Sequence, residues 1–208
     1  SIASAIVAST PILFAALGEI ITNRSGVMNL GIEGMMLVGA VIGFWAGNTT
    51  GSLMVAIIVG GFGGVALALV HAVLAVTLRV DQTVSGLSLV IVGSGFSSFI
   101  GTSGEPSLLS ARNAVEVTPL FPSSMRDLPA VGPIVFGHDL IVYLGVVAVI
   151  TATYVLNRTS VGLALRAVGE DPASADAAGI SVTKMRYLAT AIGGFGAGAG
   201  GAYLTVAI

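Results

Sequence analysis

Cysteine is absent from the 208 residues, lysine occurs once, at Lys184, and histidine twice, at His71 and His138. Without cysteine there is no disulfide framework, no thiolate metal site and no catalytic thiol. The single lysine is followed by Met185, whereas a phosphate-cradling P-loop needs Lys then Ser or Thr after a glycine-rich turn. ATP hydrolysis by that chemistry must therefore belong to another polypeptide. Two histidines and no His-Glu-x-x-His pattern leave a metal-dependent hydrolase without ligands. Charge is the largest deficit. Asp, Glu, Lys and Arg make up 9% of the chain, against about 25% in ordinary soluble domains. A water-soluble protein this poor in charge could not cover its surface. A net charge of −2 gives no basic footprint for nucleic acid.

What is abundant points to lipid as the solvent. Hydrophobic residues reach 55%, mean hydropathy is +1.00, and 29 glycines suit a bundle in which helix backbones approach closely. The expected fold class is all-α, a polytopic transmembrane helix bundle. A span needs about 20 predominantly apolar residues, and six stretches qualify: Ile2 to Ile21, Leu30 to Trp45, Leu53 to Leu78, Val84 to Ile100, Leu140 to Leu156, and Tyr187 onward. The second and fourth are short and interrupted by glycine, open to being continuous, broken or re-entrant. The chain starts at Ser1 without Met and stops at Ile208 inside an apolar run, so it is read as one transmembrane domain, residues 1–208, incomplete at its C-terminus.

Strict alternation of the six spans, with the loop after the first in the cytoplasm, puts Arg24, Arg79, Arg158, Arg166, Lys184 and Arg186 inside and only Arg112 and Arg126 outside. Cytoplasmic loops are expected to carry such an excess. Two connections are too long for turns. Residues 101–139 form an external loop with Pro106, Pro119, Pro122, Pro129 and Pro133, read either as a cap over the bundle or as a docking surface. Residues 157–186 form a cytoplasmic loop. Within it Asp171 is an N-cap, Pro172 fits the first helical position, Ala173 to Ala178 make a short helix, and Gly179 stops it in a left-handed conformation. A helix this short is marginal alone and lacks the large apolar residues of an interfacial helix. It needs a partner, and the reading is of a protein docking there rather than of a linker lying on the headgroups.

Polar residues near span ends are candidates for a solute path. Asn29 and Glu33 flank the start of the second span beside Gly31 and Gly34, where glycines can break a helix and expose backbone to a hydrated route. The alternative is that both stabilise a turn at the membrane boundary. Gln82 is a candidate at the start of the fourth span, while Asp81 reads as its cap and Glu19 as a structural partner of Arg24. His71 reads as a buried, hydrogen-bonded histidine. Gly60 and Gly64, Gly194 and Gly198, and Gly196 and Gly200 have small-xxx-small spacing, which serves intrachain packing or a subunit interface.

The stretch from Val161-Gly162 to Gly179-Ile180 resembles the ATPase-coupling loop of binding-protein-dependent ABC importer permeases, in the family serving ribose, other simple sugars, branched-chain amino acids and nucleosides. Thr10 to Glu19, Asn23-Arg24-Ser25-Gly26-Val27-Met28-Asn29-Leu30-Gly31-Ile32-Glu33-Gly34-Met35-Met36, and Asp81-Gln82-Thr83-Val84-Ser85-Gly86 are similar to its nucleoside and simple-sugar branch. The general coupling signature places Glu six residues before the glycine, and here Ala173 stands there. The resemblance implies alternating access driven by a separate ATPase, with Glu170, Asp171, Ala177 and Gly179 as the contact surface. It implies two ATP-binding subunits holding ATP and Mg, a second permease subunit, homo- or heterodimeric, and an external substrate-binding protein. The solute would be a nucleoside or simple sugar, the location a prokaryotic inner membrane, and further spans would follow Ile208. Two other classes compete. A transporter driven by an ion gradient would show acids near mid-membrane and an internal repeat, and the acids here lie mostly at span ends. A membrane-embedded enzyme would need paired carboxylates, a Ser/His set or metal ligands.

Overall fold

A computed structural model describes residues 2–103, 108, 115–122, 124 and 132–207. Every regular element among them is helical. Eight α-helices follow one another: α1 (Ile2–Arg24), α2 (Ile32–Thr50), α3 (Leu53–Ala72), α4 (Gln82–Thr102), α5 (Leu140–Arg158), α6 (Ser160–Glu170), α7 (Pro172–Ala177) and α8 (Val182–Ala207). A π-helical turn, Val73–Thr77, prolongs α3, and a second, Gly132–Phe136, precedes α5. Among the described residues four helices are long and apolar enough to cross a membrane: α1, α3 with its π turn, α4 and α5. The protein is a polytopic helical membrane bundle.

Local chemistry sets the helix ends. Ser52, Asp81, Asp139 and Thr159 each accept a backbone N–H in the first turn of α3, α4, α5 and α6, satisfying donors that have no partner within the helix. Gly51 ends α2 in a left-handed conformation, φ +69°, its N–H donating to the Gly47 carbonyl at 2.7 Å. The second and fourth apolar stretches of the sequence are continuous helices, α2 and α4. Their glycines do not break them but let other backbones approach.

The centre of the bundle is α8, in contact with α1, α2 and α3. Its glycines face three ways. An added carbon on Gly196 would stand 2.6 Å from the Phe14 carbonyl of α1, and one on Gly200 2.5 Å from that of Pro11. Gly194 and Gly198 lie against Gly64 of α3, and Gly201 against the Met36 carbonyl of α2. Gly18 of α1 meets Gly193, and Gly39 of α2 meets Gly198. The small-xxx-small pairs thus serve packing within the chain. In lipid, where burial of apolar surface between helices gains little, such close backbone packing holds helices together. The bulk is Tyr203, fully buried among Ile57, Ile141 and Val142.

The C-terminal ends of α1, α3 and α5 and the N-terminal ends of α2, α4 and α8 gather at one end of the bundle. Leu156, Leu165, Ala189, Ile21 and Met185 pack together there, and Tyr187 meets Thr77 through their hydroxyls at 2.5 Å. All the Lys and Arg residues among the described residues, Arg24, Arg79, Arg158, Arg166, Lys184 and Arg186, belong to this end. Arg112 and Arg126, with Pro106 and Pro129, lie outside the described residues.

At the opposite end, Asp139 is buried and takes the Tyr203 hydroxyl at 2.5 Å and the Ile141 N–H at 2.8 Å. Residues 115–122 fold over this end. Leu120 N–H donates to the His138 carbonyl at 3.0 Å, Phe121 stands edge-on to Phe136 and Tyr143, and Val115 is buried against Ala56 and Val206.

Candidate functional site

The cation end carries two arrangements of interest, a helical projection and a buried polar junction. The projection is α6 followed by α7. The apolar spacing Val161, Leu165, Val168 underlies α6, a helix that sequence alone does not separate from the apolar span before it. Leu165 and Val168 are buried, and Gly162 lets the first turn sit on the backbone of Val155 and Leu156. Near its end Gly169 packs against the Arg24 carbonyl and Gly26. This docking fixes where α7 begins.

Asp171 caps α7, accepting the Ala173 and Ser174 N–H groups at 3.1 Å each and the Ser174 hydroxyl at 2.5 Å. These bonds, the Ser174 hydroxyl first, hold its carboxyl below the usual carboxylate range. Pro172 occupies the first turn. At the other end Gly179 has φ +82°, Gly179 N–H donates to the Asp176 carbonyl at 2.9 Å, and Ile180 N–H to that of Ala175 at 3.0 Å. This is a Schellman closure. Ala175 alone of α7 is buried, 3% exposed. Glu170, Asp171, Ala177 and Gly179 all lie on the exposed side, with Ala173, Ser174, Asp176 and Ala178 between them. The result is a short, doubly capped helix with a small-residue face turned outward.

The second arrangement is the junction between α1 and α2. Ser25 and Asn29 are buried there, and Gly26 takes φ +79°. Asn29 spends its polar atoms locally, Oδ1 accepting the Gly31 N–H at 3.1 Å and Nδ2 facing Met35 Sδ at 3.3 Å. Gln82 Oε1 accepts the Met28 N–H at 2.6 Å. Asn29 and Gln82 thus meet at one segment, while Glu33 is exposed in the first turn of α2. Glu19 is not paired with Arg24. Its Oε1 accepts from Asn23 Nδ2 at 2.8 Å and from the Asn29 N–H at 3.4 Å, and Oε2 is buried without a partner. Asp81 caps α4 through the Val84 N–H at 2.9 Å. His71 is buried between Ser85 Oγ at 3.0 Å and the Met28 carbonyl at 3.1 Å.

Two cavities flank α2. One of about 300 Å³ is lined by Leu37, Phe44, Ser97, Gly101 and Thr205, and one of about 250 Å³ by Val38, Ile42, Leu67, Val92 and Phe96. Neither is bordered by Asn29, Glu33 or Gln82. Among the described residues no three His, Asp or Glu side chains gather where they could hold a metal ion.

The chain is thus a glycine-packed helical membrane bundle with a capped helix projecting from its cation end. Residues 1–208 match the family described as branched-chain amino acid transport system / permease component, and the chain belongs to that family. It is similar to a Haloferax volcanii protein with the proposed role of a glucose ABC transporter permease, 42% identical over 96% of this chain and 60% of that protein. The guanosine ABC transporter permease of Bacillus subtilis is 32% identical over 94% of this chain and 64% of its own length. The nucleoside ABC transporter permease of Lactococcus lactis is 32% identical over 100% of this chain and 67% of its own. The chain therefore spans about two thirds or less of the length of these relatives. No solved structure matches it.

Proposed function

We propose that this chain is a permease subunit of an ATP-driven, binding-protein-dependent importer and that its solute is a nucleoside or a simple sugar. The observation that carries the reading is α7, an exposed helix capped at both ends and set on the bundle through α6. A projection of this kind transmits a push, because its caps keep it rigid and its small side chains admit a close partner. On this reading ATP and Mg belong to that partner, two ATP-binding subunits acting on a permease dimer, in keeping with the lack of a P-loop lysine motif in these residues. The cation end is then cytoplasmic, α2 and α8 join the four clear spans to make six, and residues 101–139 face outward toward a substrate-binding protein. The membrane is the inner membrane of a prokaryote. Relatives named for glucose, guanosine and nucleosides support a solute rich in hydroxyls.

Glu170, Asp171, Ala177 and Gly179 form the proposed docking surface. The test uses the chain's lack of cysteine. In the full-length protein assembled with its ATP-binding subunit, Ala177→Cys joined to a short thiol-reactive cross-linker is expected to capture that subunit. The same reagent on Met54→Cys, at the opposite end, is expected to capture none. Equal capture from both positions, or from neither, would overturn the docking assignment.

A further inference from the structure

The junction Ser25–Gly31 is gripped from two sides. On the side of α6, Gly169 lies against the Arg24 carbonyl and Gly26, and Arg186 Nε donates to the Ser25 carbonyl at 3.1 Å. An added carbon on Gly26 would stand 3.2 Å from Gly169 Cα, so the two backbones are in direct contact. On the other side, both polar groups of the Met28 backbone are taken by side chains. Its N–H donates to Gln82 Oε1 at 2.6 Å, and its carbonyl accepts from His71 Nε2 at 3.1 Å. A carbonyl only accepts, so the imidazole proton sits on Nε2, and Nδ1 accepts from Ser85 Oγ at 3.0 Å. Gln82 and Ser85 both belong to the first turn of α4. Gly86 continues the contact, an added carbon there standing 3.0 Å from the Gly31 nitrogen. Beyond this point α4 rests chiefly on α2, through Gly93 against Gly34, and only lightly on α3.

We infer that Gln82 and His71 are positioning residues of the transport cycle, fastening the α1–α2 junction to the start of α4. Displacement of α6 and α7 is thereby passed through Gly169, Gly26 and Met28 into α4. This inference rests on the importer reading above. At this junction the docked base of the projection and the beginning of α4 hold the same short segment. Met28 is the shared residue. The assignment also gives Gln82 a duty other than contact with solute, since its acceptor oxygen is occupied by backbone.

The test is a coupling ratio. The full-length permease, its ATP-binding subunits and its binding protein are reconstituted in liposomes, and labelled solute taken up is divided by ATP hydrolysed. Gln82→Leu keeps the bulk, removes the acceptor and leaves the Met28 N–H without its side-chain partner. Solute per ATP is expected to fall about tenfold while hydrolysis continues, and Gln82→Glu, which keeps an acceptor oxygen, is expected to restore it. His71→Leu should act in the same direction. An unchanged ratio in Gln82→Leu would overturn the inference. So would a parallel loss of uptake and hydrolysis, with a lowered thermal midpoint, that Gln82→Glu does not repair. Wild-type uptake indifferent to ATP would instead overturn the importer reading itself, and that result is read without any variant.

Discussion

Gly198 has no room for a side chain. An added carbon would stand 2.8 Å from the Gly64 nitrogen and closer still to the Gly60 carbonyl, and backbone cannot swing aside as a flexible side chain can. Overpacking of this kind costs about 1–3 kcal/mol or more. Gly198→Leu is expected to lower the thermal midpoint of the detergent-solubilised protein markedly, and an unchanged midpoint would contradict the central place given to α8. Asp171 makes a different prediction. Its carboxyl titrates below the ordinary value of 3.8, so the cap is complete above that value and is lost as pH falls through the depressed folded pKa. Asp171→Ala should remove it at every pH. Hydrogen exchange at the Ala173 and Ser174 amides is expected to quicken in the variant at neutral pH, and no change would mean the helix stands without its cap. The caps at Asp81 and Asp171 are written in local sequence and could be read directly. The pairing of Tyr203 with Asp139 spans 64 residues and leaves no local sign.

Among the elements, α7 has the plainest consequence. Gly179 takes φ +82° with open space around it, so a substitution there is opposed by backbone conformation and not by crowding. A left-handed conformation costs an ordinary residue about 1–2 kcal/mol. Gly179→Val is therefore expected to unsettle the end of α7 while insertion and bundle assembly proceed, abolishing ATP-dependent uptake. Normal uptake by this variant would remove α7 from the coupling path. The short helix was legible because Asp, Pro and Gly punctuate it. Its support α6 was not, since an amphipathic pattern with few charges merges into the long apolar span before it. Likewise the glycines of α2 and α4 carry two meanings in sequence, a break or a close approach. Only the position of Gly34 against Leu89 and Gly93 decides for the second.

For the molecule as a whole, charge and hydropathy were enough to place the helices in lipid and six of the eight cations at one end, because both follow from the cost of burying charge in a bilayer. What sequence could not give is the arrangement of helices around α8, which depends on which glycines meet. Sidedness is open to direct measurement. Ser174→Cys, exposed on α7, should react with a membrane-impermeant maleimide in inside-out vesicles and not in intact cells. Labelling in intact cells would invert the proposed topology.

The central claim is that transport through this bundle is driven by ATP acting from the cation end. The measurement that addresses it is uptake of labelled guanosine and glucose into inverted-topology-controlled vesicles carrying the full-length permease, its ATP-binding subunits and its binding protein. ATP would be supplied or withheld on the side of α7. Uptake of one label that requires ATP and survives dissipation of the ion gradients is the expected result. Uptake that proceeds without ATP and collapses with the gradient would contradict it.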